Sequence, residues 1–379
     1  MKIIIAPDKF KGALSATQVA QAMAEGVRLI DSTIEVLQLP LADGGEDSAA
    51  ILTSAVGGRT VTIAAKDPLF RAIKASYGLS ANGQTAFIEM ATASGLARLL
   101  NHERNPLLTS TFGTGELILD ALKCGAKRLI VCIGGSATND AGIGMAAALG
   151  YRFLDKNNAE LQPIGANLAA ICSIDAGHVT PLLQNIEVVV ACDVTNPLHG
   201  PHGAACVYGP QKGADTTAVI QLDAGLLNFS QVIKNQLSID LQAIEGSGAA
   251  GGLGGGCVAF LNATLQSGID TVLQALDFEK HLKGTDLVLT GEGKIDQQTL
   301  QGKLIAGVAR AAKAQHVPVA ALCGSLLLSS QAIDKLGLSY ATSVISGPMT
   351  LQEAINATPQ NVRDSTAAIV RLLKAMRKS

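Results

Sequence analysis

The residues best suited to chemistry lie where short apolar runs stop. Residues 128–133 form an aliphatic run that ends in Gly134, Gly135 and Ser136, and the chain continues through Asn139 and Asp140 into a stretch rich in glycine and alanine. Glycines let backbone N–H groups approach an anion, and the positive end of a following helix favours negative charge. The spacing therefore predicts a phosphate cradle, with plain close packing as its alternative. Four other strand-like runs also end in Gly, Asp, Glu or Lys: 2–6 leads into Asp8, Lys9 and Lys11, 35–41 into Asp43, 286–290 into Glu292 and Lys294, and 187–192 into Asp193, Thr195 and Asn196. Carboxylates and lysines gathered in one cleft suit a magnesium-phosphate complex, because hard oxygens hold Mg²⁺ and ammonium groups neutralise phosphoryl oxygens. Solvated loop charges are the alternative.

Asp193 is a candidate general base for a substrate hydroxyl. Its other reading is an Asx turn before Pro197. The run 246–256 offers further backbone N–H groups at Gly251 and Gly252, or else a turn before a helix at 258–266. Downstream of Asp193, GPHGAACVYGPQKGA adds Gly203, Gly209, Lys212 and Gly213. Several features weigh against other chemistries. Gly302 and Lys303 are followed by Leu304, so no P-loop motif exists, and no G-x-G-x-x-G follows the first strand. His199 and His202 have metal-like spacing but lie in a Gly/Pro turn without a carboxylate at helical spacing.

These loops need elements to position them. Residues 2–6 read as a buried parallel strand, and Ser15 with Gln18 forms a capping box before the apolar stripe Val19, Ala22, Met23, Val27 and Ile30. A strand at 35–41 and a helix ending at Gly57–Gly58 complete a β-α-β-α unit. The alternation returns with strands at 286–290, 317–323 and 340–345 and helices at 300–314, near Gln331, and at 361–377. Five βα units make a flavodoxin-like parallel five-stranded sheet of expected order 2-1-3-4-5. The middle breaks the pattern: 61–64, 73–79 and 85–89 read as antiparallel strands with a hairpin at Asn82–Gly83, followed by a helix at 115–123 and the strands ending at Gly134 and Asp193. The expected fold is α/β, a flavodoxin-like domain (1–60 and 285–379) interrupted by an inserted mixed α/β domain (61–284), with the active site in the cleft between them.

A chain of 379 residues exceeds one ordinary core. A net charge of -2, 3% aromatic residues and no Trp give no electrostatic or stacking basis for nucleic acid or an acidic membrane. Seven cysteines without a Cys-x-x-Cys pair, mostly in apolar runs, read as buried thiols of a reducing compartment. No apolar stretch approaches the roughly 20 residues that span a bilayer, and the N-terminal run is too short for a signal peptide. A cytoplasmic enzyme is expected.

Seven segments in register carry a resemblance: APDKFKGALSA at 6–16, PLADGGE at 40–46, GTGELI at 113–118, IGGSATNDAGIGM at 133–145, ACDVTNPLHGPHGA at 191–204, GPQKGA at 209–214 and TGEGKID at 290–296. Together they resemble the class I glycerate kinases over the whole chain. The resemblance implies transfer of the ATP γ-phosphate to D-glycerate with Mg²⁺, giving the 2-phosphate, in the use of glycerate derived from glyoxylate or sugar acids. It supports a shared site, and strand-end position and chemistry suggest the roles. Gly134, Gly135, Ser136, Asn139, Asp140, Gly251 and Gly252 would hold nucleotide phosphates, Lys11 and Lys294 would stabilise transferring charge, and Asp43 and Glu292 would hold Mg²⁺. Asp193 would act as base, with Asp8, Lys9, Arg71, Thr195 and Asn196 on the substrate side. For the glycerate carboxylate, Lys9, Arg71 and the Ser136 region stand as alternatives. The chain departs from the family pattern at Lys9, Asp47, Ser48, Ala141, Ile143 and Lys294, and a lysine at 294 lacks the planar fork of the commoner arginine. A kinase for another small hydroxy acid and a non-catalytic sensor are the rival readings, and a monomer or a homodimer is expected.

Overall fold

Ile3, Ile4 and Ile5 expose no surface, as expected of a β-branched run covered on both faces. They lie in β1 (Lys2–Ile5) of a computed structural model that describes every residue except Asp43, Glu46, Gly302, Lys303, Lys378 and Ser379. The further strands, in chain order, are β2 (Glu35–Gln38), β3 (Arg59–Lys66), β4 (Ala72–Leu79), β5 (Thr85–Glu89), β6 (Arg128–Cys132), β7 (Arg152–Leu154), β8 (Ser173–Asp175), β9 (Glu187–Ala191), β10 (Thr264–Gln266), β11 (Leu287–Ile295), β12 (Val319–Leu326) and β13 (Tyr340–Ser343). Two compact units result, Met1–Asp43 with Val272–Ser379, and Gly44–Thr271. The first division falls earlier in the chain than the expected position near 60. Helix Ser48–Ala55 packs with the inserted unit, where Gly78 of β4 lies so close to Thr53 that a Cβ would overlap its hydroxyl.

In the first unit the sheet order is β13-β12-β11-β1-β2, with every pair parallel. Counted along this unit alone, that is the flavodoxin-like order 2-1-3-4-5. Helix Ala16–Ile30 begins at the expected capping box: Ser15 Oγ accepts the Gln18 N–H at 3.3 Å, and Gln18 Oε1 accepts the Ser15 N–H at 2.9 Å. Its buried face of Val19, Met23 and Val27 shares a core with Leu289, Leu322, Val362 and Val370. Two elements differ from expectation. β11 continues through Gly291, Glu292, Gly293 and Lys294 to Ile295, because β12 supplies ladder partners as far as Leu326. The final helix starts at Leu351, since Thr350 and Glu353 form a capping box and Pro359 is tolerated inside, where the Thr358 hydroxyl bonds the Ala354 carbonyl at 2.7 Å.

In the second unit six strands run in the order β10-β9-β6-β5-β4-β3, parallel as far as β5 and antiparallel beyond it. The Asn82–Gly83 turn forms as expected, with Gly83 at φ +70°. Leu129, Val131, Val188 and Val190 pack with Leu117, Ile118, Leu253 and Phe260 into the core of this unit. The expected helix at 258–266 is corrected: it occupies Ala249–Leu261, starting within the glycine run, and Thr264–Gln266 is strand β10. Of the seven cysteines only Cys132, Cys257 and Cys323 are buried, so the apolar runs around the others were a poor guide to burial. Among the described residues no helix is long and apolar enough to cross a membrane.

Candidate active site

The second unit gathers its polar groups where β6 and β9 end. Past β6 the backbone turns at Gly135, φ +74°. The turn is held from one side, by the Leu96 N–H on the Gly135 carbonyl at 2.8 Å and the Ala137 N–H on the Ser94 carbonyl at 3.0 Å. The N–H groups of Gly134, Gly135 and Ser136 meet no backbone carbonyl among the described residues. Successive N–H groups around a left-handed residue form a concave anion nest. A Cβ on Gly134 would stand 3.2 Å from the Gly45 Cα, and one on Gly44 would stand 3.0 Å from the Ala191 Cβ and 3.2 Å from the Gly268 Cα. The Gly44–Gly45 turn therefore lies beside both the nest and the end of β9. There Asp193 is exposed and accepts the Gly268 N–H on Oδ1 at 2.7 Å, which makes it a partner of the first turn of helix Gly268–Ala275. That bond reaches across 75 positions of the sequence.

The helix expected directly after the nest is delayed to Ile143–Ala148. Its N-terminal groups are already taken: the Asp140 carboxylate accepts N–H groups from Gly142 and Gly144 at 3.2 Å each, and from Thr111 both the N–H at 2.7 Å and the hydroxyl at 2.8 Å. Asp140 is fully buried, and burial pushes its carboxyl up while these donors oppose the shift. It is a structural anion where the sequence suggested a phosphate partner. Lys212 lies equally deep, with Nζ donating to Ser136 Oγ and to the Thr138 carbonyl at 2.7 Å each. Desolvation pulls this lysine from its ordinary 10.5 down to about 7, against the pull of Asp140. Thr111 went unmarked in the sequence, and Lys212 was noted without a role. The only local signal for the latter was a lysine next to Gly213.

Asn139 is also buried, and neither end of its amide has a partner among the described residues. Gly251 and Gly252 sit where helix Ala249–Leu261 kinks, with φ of +71° and +89°. A Cβ on Gly251 would overlap the Thr138 carbonyl, and one on Gly252 would reach the Ala141 Cα at 2.9 Å. Here the glycines admit another stretch of backbone. Thr195 is exposed, whereas Asn196 ties its own loop together, donating to the His202 carbonyl at 2.9 Å and accepting the Tyr208 hydroxyl at 2.6 Å. The Arg71 guanidinium is taken by Asp67 and Glu103, each at 2.5 Å, and these carboxylates push its pKa up, Glu103 most.

In the first unit the adjacency of β1 and β11 brings the expected residues together. The Asp8 N–H donates to the Gly291 carbonyl at 2.8 Å, Asp8 Oδ1 accepts the Lys9 N–H at 2.7 Å, and a Cβ on Gly293 would stand 3.2 Å from the Lys11 nitrogen. Glu292 and Lys294 share one face of β11, in strand and not in the expected loop. Glu292 is 9% exposed and accepts the buried Thr299 hydroxyl at 2.6 Å, while Lys294 pairs with Asp296 at 2.9 Å. Asp43 lies outside the described residues. Among those described, no three His, Cys, Asp or Glu side chains cluster as a metal site. Mg²⁺ asks for less, one or two carboxylates with water and substrate phosphates, and Glu292 is a donor of that kind.

These features define an α/β protein in which a flavodoxin-like sheet accompanies an inserted mixed sheet that offers a backbone anion nest at its strand ends. The model of the glycerate kinase family matches residues 3–374. The chain is 44% identical to a glycerate kinase of Bacillus subtilis (strain 168), covering 99% of each chain, and 44% identical to a glycerate 2-kinase of Escherichia coli (strain K12), covering 96% of this chain and 95% of that one. A crystal structure provisionally described as glycerate kinase 2 from Salmonella typhimurium LT2 is 43% identical and superposes with a TM-score of 0.92 over the full length of both. The chain belongs to the glycerate kinase family.

Proposed function

We propose that this protein transfers the γ-phosphoryl group of ATP to the 2-hydroxyl of D-glycerate, giving 2-phosphoglycerate and ADP. Family membership supports the kinase reaction. The observation that carries the assignment of parts is the juxtaposition of an open N–H nest at Gly134–Ser136 with the exposed carboxylate of Asp193 in one unit. The nest binds phosphate oxygens, supplying donors already held in place. Asp193 accepts the proton of the attacking hydroxyl, whose oxygen bonds the γ-phosphorus as the bond to the bridging oxygen of ADP breaks. Lys11 and Lys294 neutralise charge on the transferring group, and Glu292 with Asp43 would hold Mg²⁺, which when bound would supply positive charge against the phosphate oxygens.

For the glycerate carboxylate the surroundings favour Lys9 over Arg71, whose guanidinium two carboxylates already occupy. Incubation with ATP, Mg²⁺ and D-glycerate, followed by phosphorus NMR, tests the reading. A 2-phosphoglycerate signal is expected. A 3-phosphate overturns the regiochemistry, and no product with glycerate alongside turnover of another small hydroxy acid overturns the substrate.

A further inference from the structure

Lys212 belongs to the GPQKGA run, to which the proposed reaction assigns no task. Its side chain is 1% exposed, at the end of the short turn Pro210–Lys212. Gly213 allows this path, at φ +94° and so close to Arg104 that a Cβ would overlap its carbonyl. Burying an ammonium is costly unless it is bonded, so a lysine this deep needs a reason.

An ammonium carries three donors and no lone pair. While Lys212 is protonated, the Ser136 hydroxyl is therefore the acceptor of their bond, and its own hydrogen is directed away from Nζ. Ser136 also supplies one of the three N–H groups that meet no backbone carbonyl among the described residues. The second bond of Lys212 ties down the Thr138 carbonyl, two residues along the same loop. The Asp140 carboxylate is satisfied separately, by Thr111, Gly142 and Gly144.

We propose that Lys212 is a positioning residue: its buried ammonium fixes the loop so that the Ser136 hydroxyl hydrogen joins the three N–H groups as one donor set for a phosphate oxygen. The inference rests on the reading of this loop as the nucleotide's anion site. While protonated, Lys212 also places a charge behind the loop, out of water, where it acts on an anion with little screening by solvent. The loop thus gains a cation without presenting a flexible lysine at the surface.

The test compares Lys212→Met, Ser136→Ala and the double variant with the wild type, reading kcat, the KM for ATP, the KM for glycerate and thermal unfolding. Each single variant should raise the KM for ATP about ten-fold or more, as loss of a charge-assisted bond does, with a smaller change in kcat and little in the KM for glycerate. The double variant should be no worse than the worse single one, because Lys212 acts through Ser136. Should Lys212→Met fail to fold, Ser136→Ala alone decides: it should fold normally, and an unchanged KM for ATP overturns the proposal. Additive effects, or effects on unfolding alone, also overturn it. A coupled rise in the KM for glycerate instead of ATP would keep Lys212 in its role and overturn the assignment of the loop to nucleotide.

Discussion

Two glycine runs of the second unit look alike in sequence and serve different ends. At Gly134–Ser136 the backbone leaves three successive N–H groups without backbone acceptors among the described residues, in a turn whose other edge is pinned by Ser94 and Leu96. At Gly251–Gly252 the space a side chain would fill is occupied by Thr138 and Ala141. The first run keeps polar backbone available, and the second lets the loop after the first pack against a kinked helix. A glycine reports that something comes close. Its surroundings decide whether that is a ligand or more protein.

The contrast can be broken or sharpened by variants. The largest effect is expected beside the first run: Asp193→Asn should lower turnover about 10²–10⁴-fold while leaving the KM for ATP nearly unchanged in steady-state assays. Such a split would separate proton transfer from phosphate holding, and normal turnover would remove Asp193 from the mechanism. Next comes Gly251→Ala, which should cost about 3 kcal/mol in urea unfolding, because a Cβ would overlap backbone that cannot swing aside. Gly135→Ala should be milder in stability, about 1–2 kcal/mol for left-handed backbone, yet should raise the KM for ATP. If Gly251→Ala unfolds like the wild type, or Gly135→Ala binds ATP normally, the two runs have been told apart wrongly.

Stability should also depend on Lys212 through pH. With its folded pKa lowered to about 7 from 10.5, the unfolded chain holds a proton between those values that the folded chain has released. Stability therefore rises across that window as pH increases, and the penalty is complete below it. Lys212→Met should flatten this rise in unfolding curves taken from pH 7 to 10. The smallest effect is expected at Arg71→Ala, a minor loss of thermal stability with the KM for glycerate unchanged, since the guanidinium serves Asp67 and Glu103. A large rise in that KM would restore Arg71 as the anchor of the substrate carboxylate.

What was legible in the sequence was what neighbours along the chain decide. The buried run Ile3–Ile5, the capping box at Ser15 and Gln18, and the Asn82–Gly83 turn each carry their own signal, and with five βα units they sufficed for the sheet order. β11 was cut short because Gly-Glu-Gly-Lys reads as a turn, and only the ladder offered by β12 makes it strand. The final helix begins ten residues before the expected 361, because the capping box at Thr350 starts it and Pro359 is tolerated inside. In the candidate site, strand ends account for where Asp193 and the Gly134–Ser136 turn fall, but not for the bond from Lys212 to Ser136, which spans 76 positions. Nor does spacing reveal that Asp140 is consumed by Thr111, or that Gly251 faces Thr138.

The parallel pairing of β1 with β11 has a consequence for synthesis. The Lys2 N–H bonds the Asp286 carboxylate across 284 positions, with the whole second unit between them. At roughly 5–20 residues per second on the ribosome, Ile3, Ile4 and Ile5 wait roughly 15–60 s for the strand that will cover one edge of theirs. The second unit, complete at Thr271, has all its strands before then. The emerging chain thus carries a sticky leading segment ahead of an already foldable body, and a newborn molecule that stalls before β11 would be a substrate for chaperones.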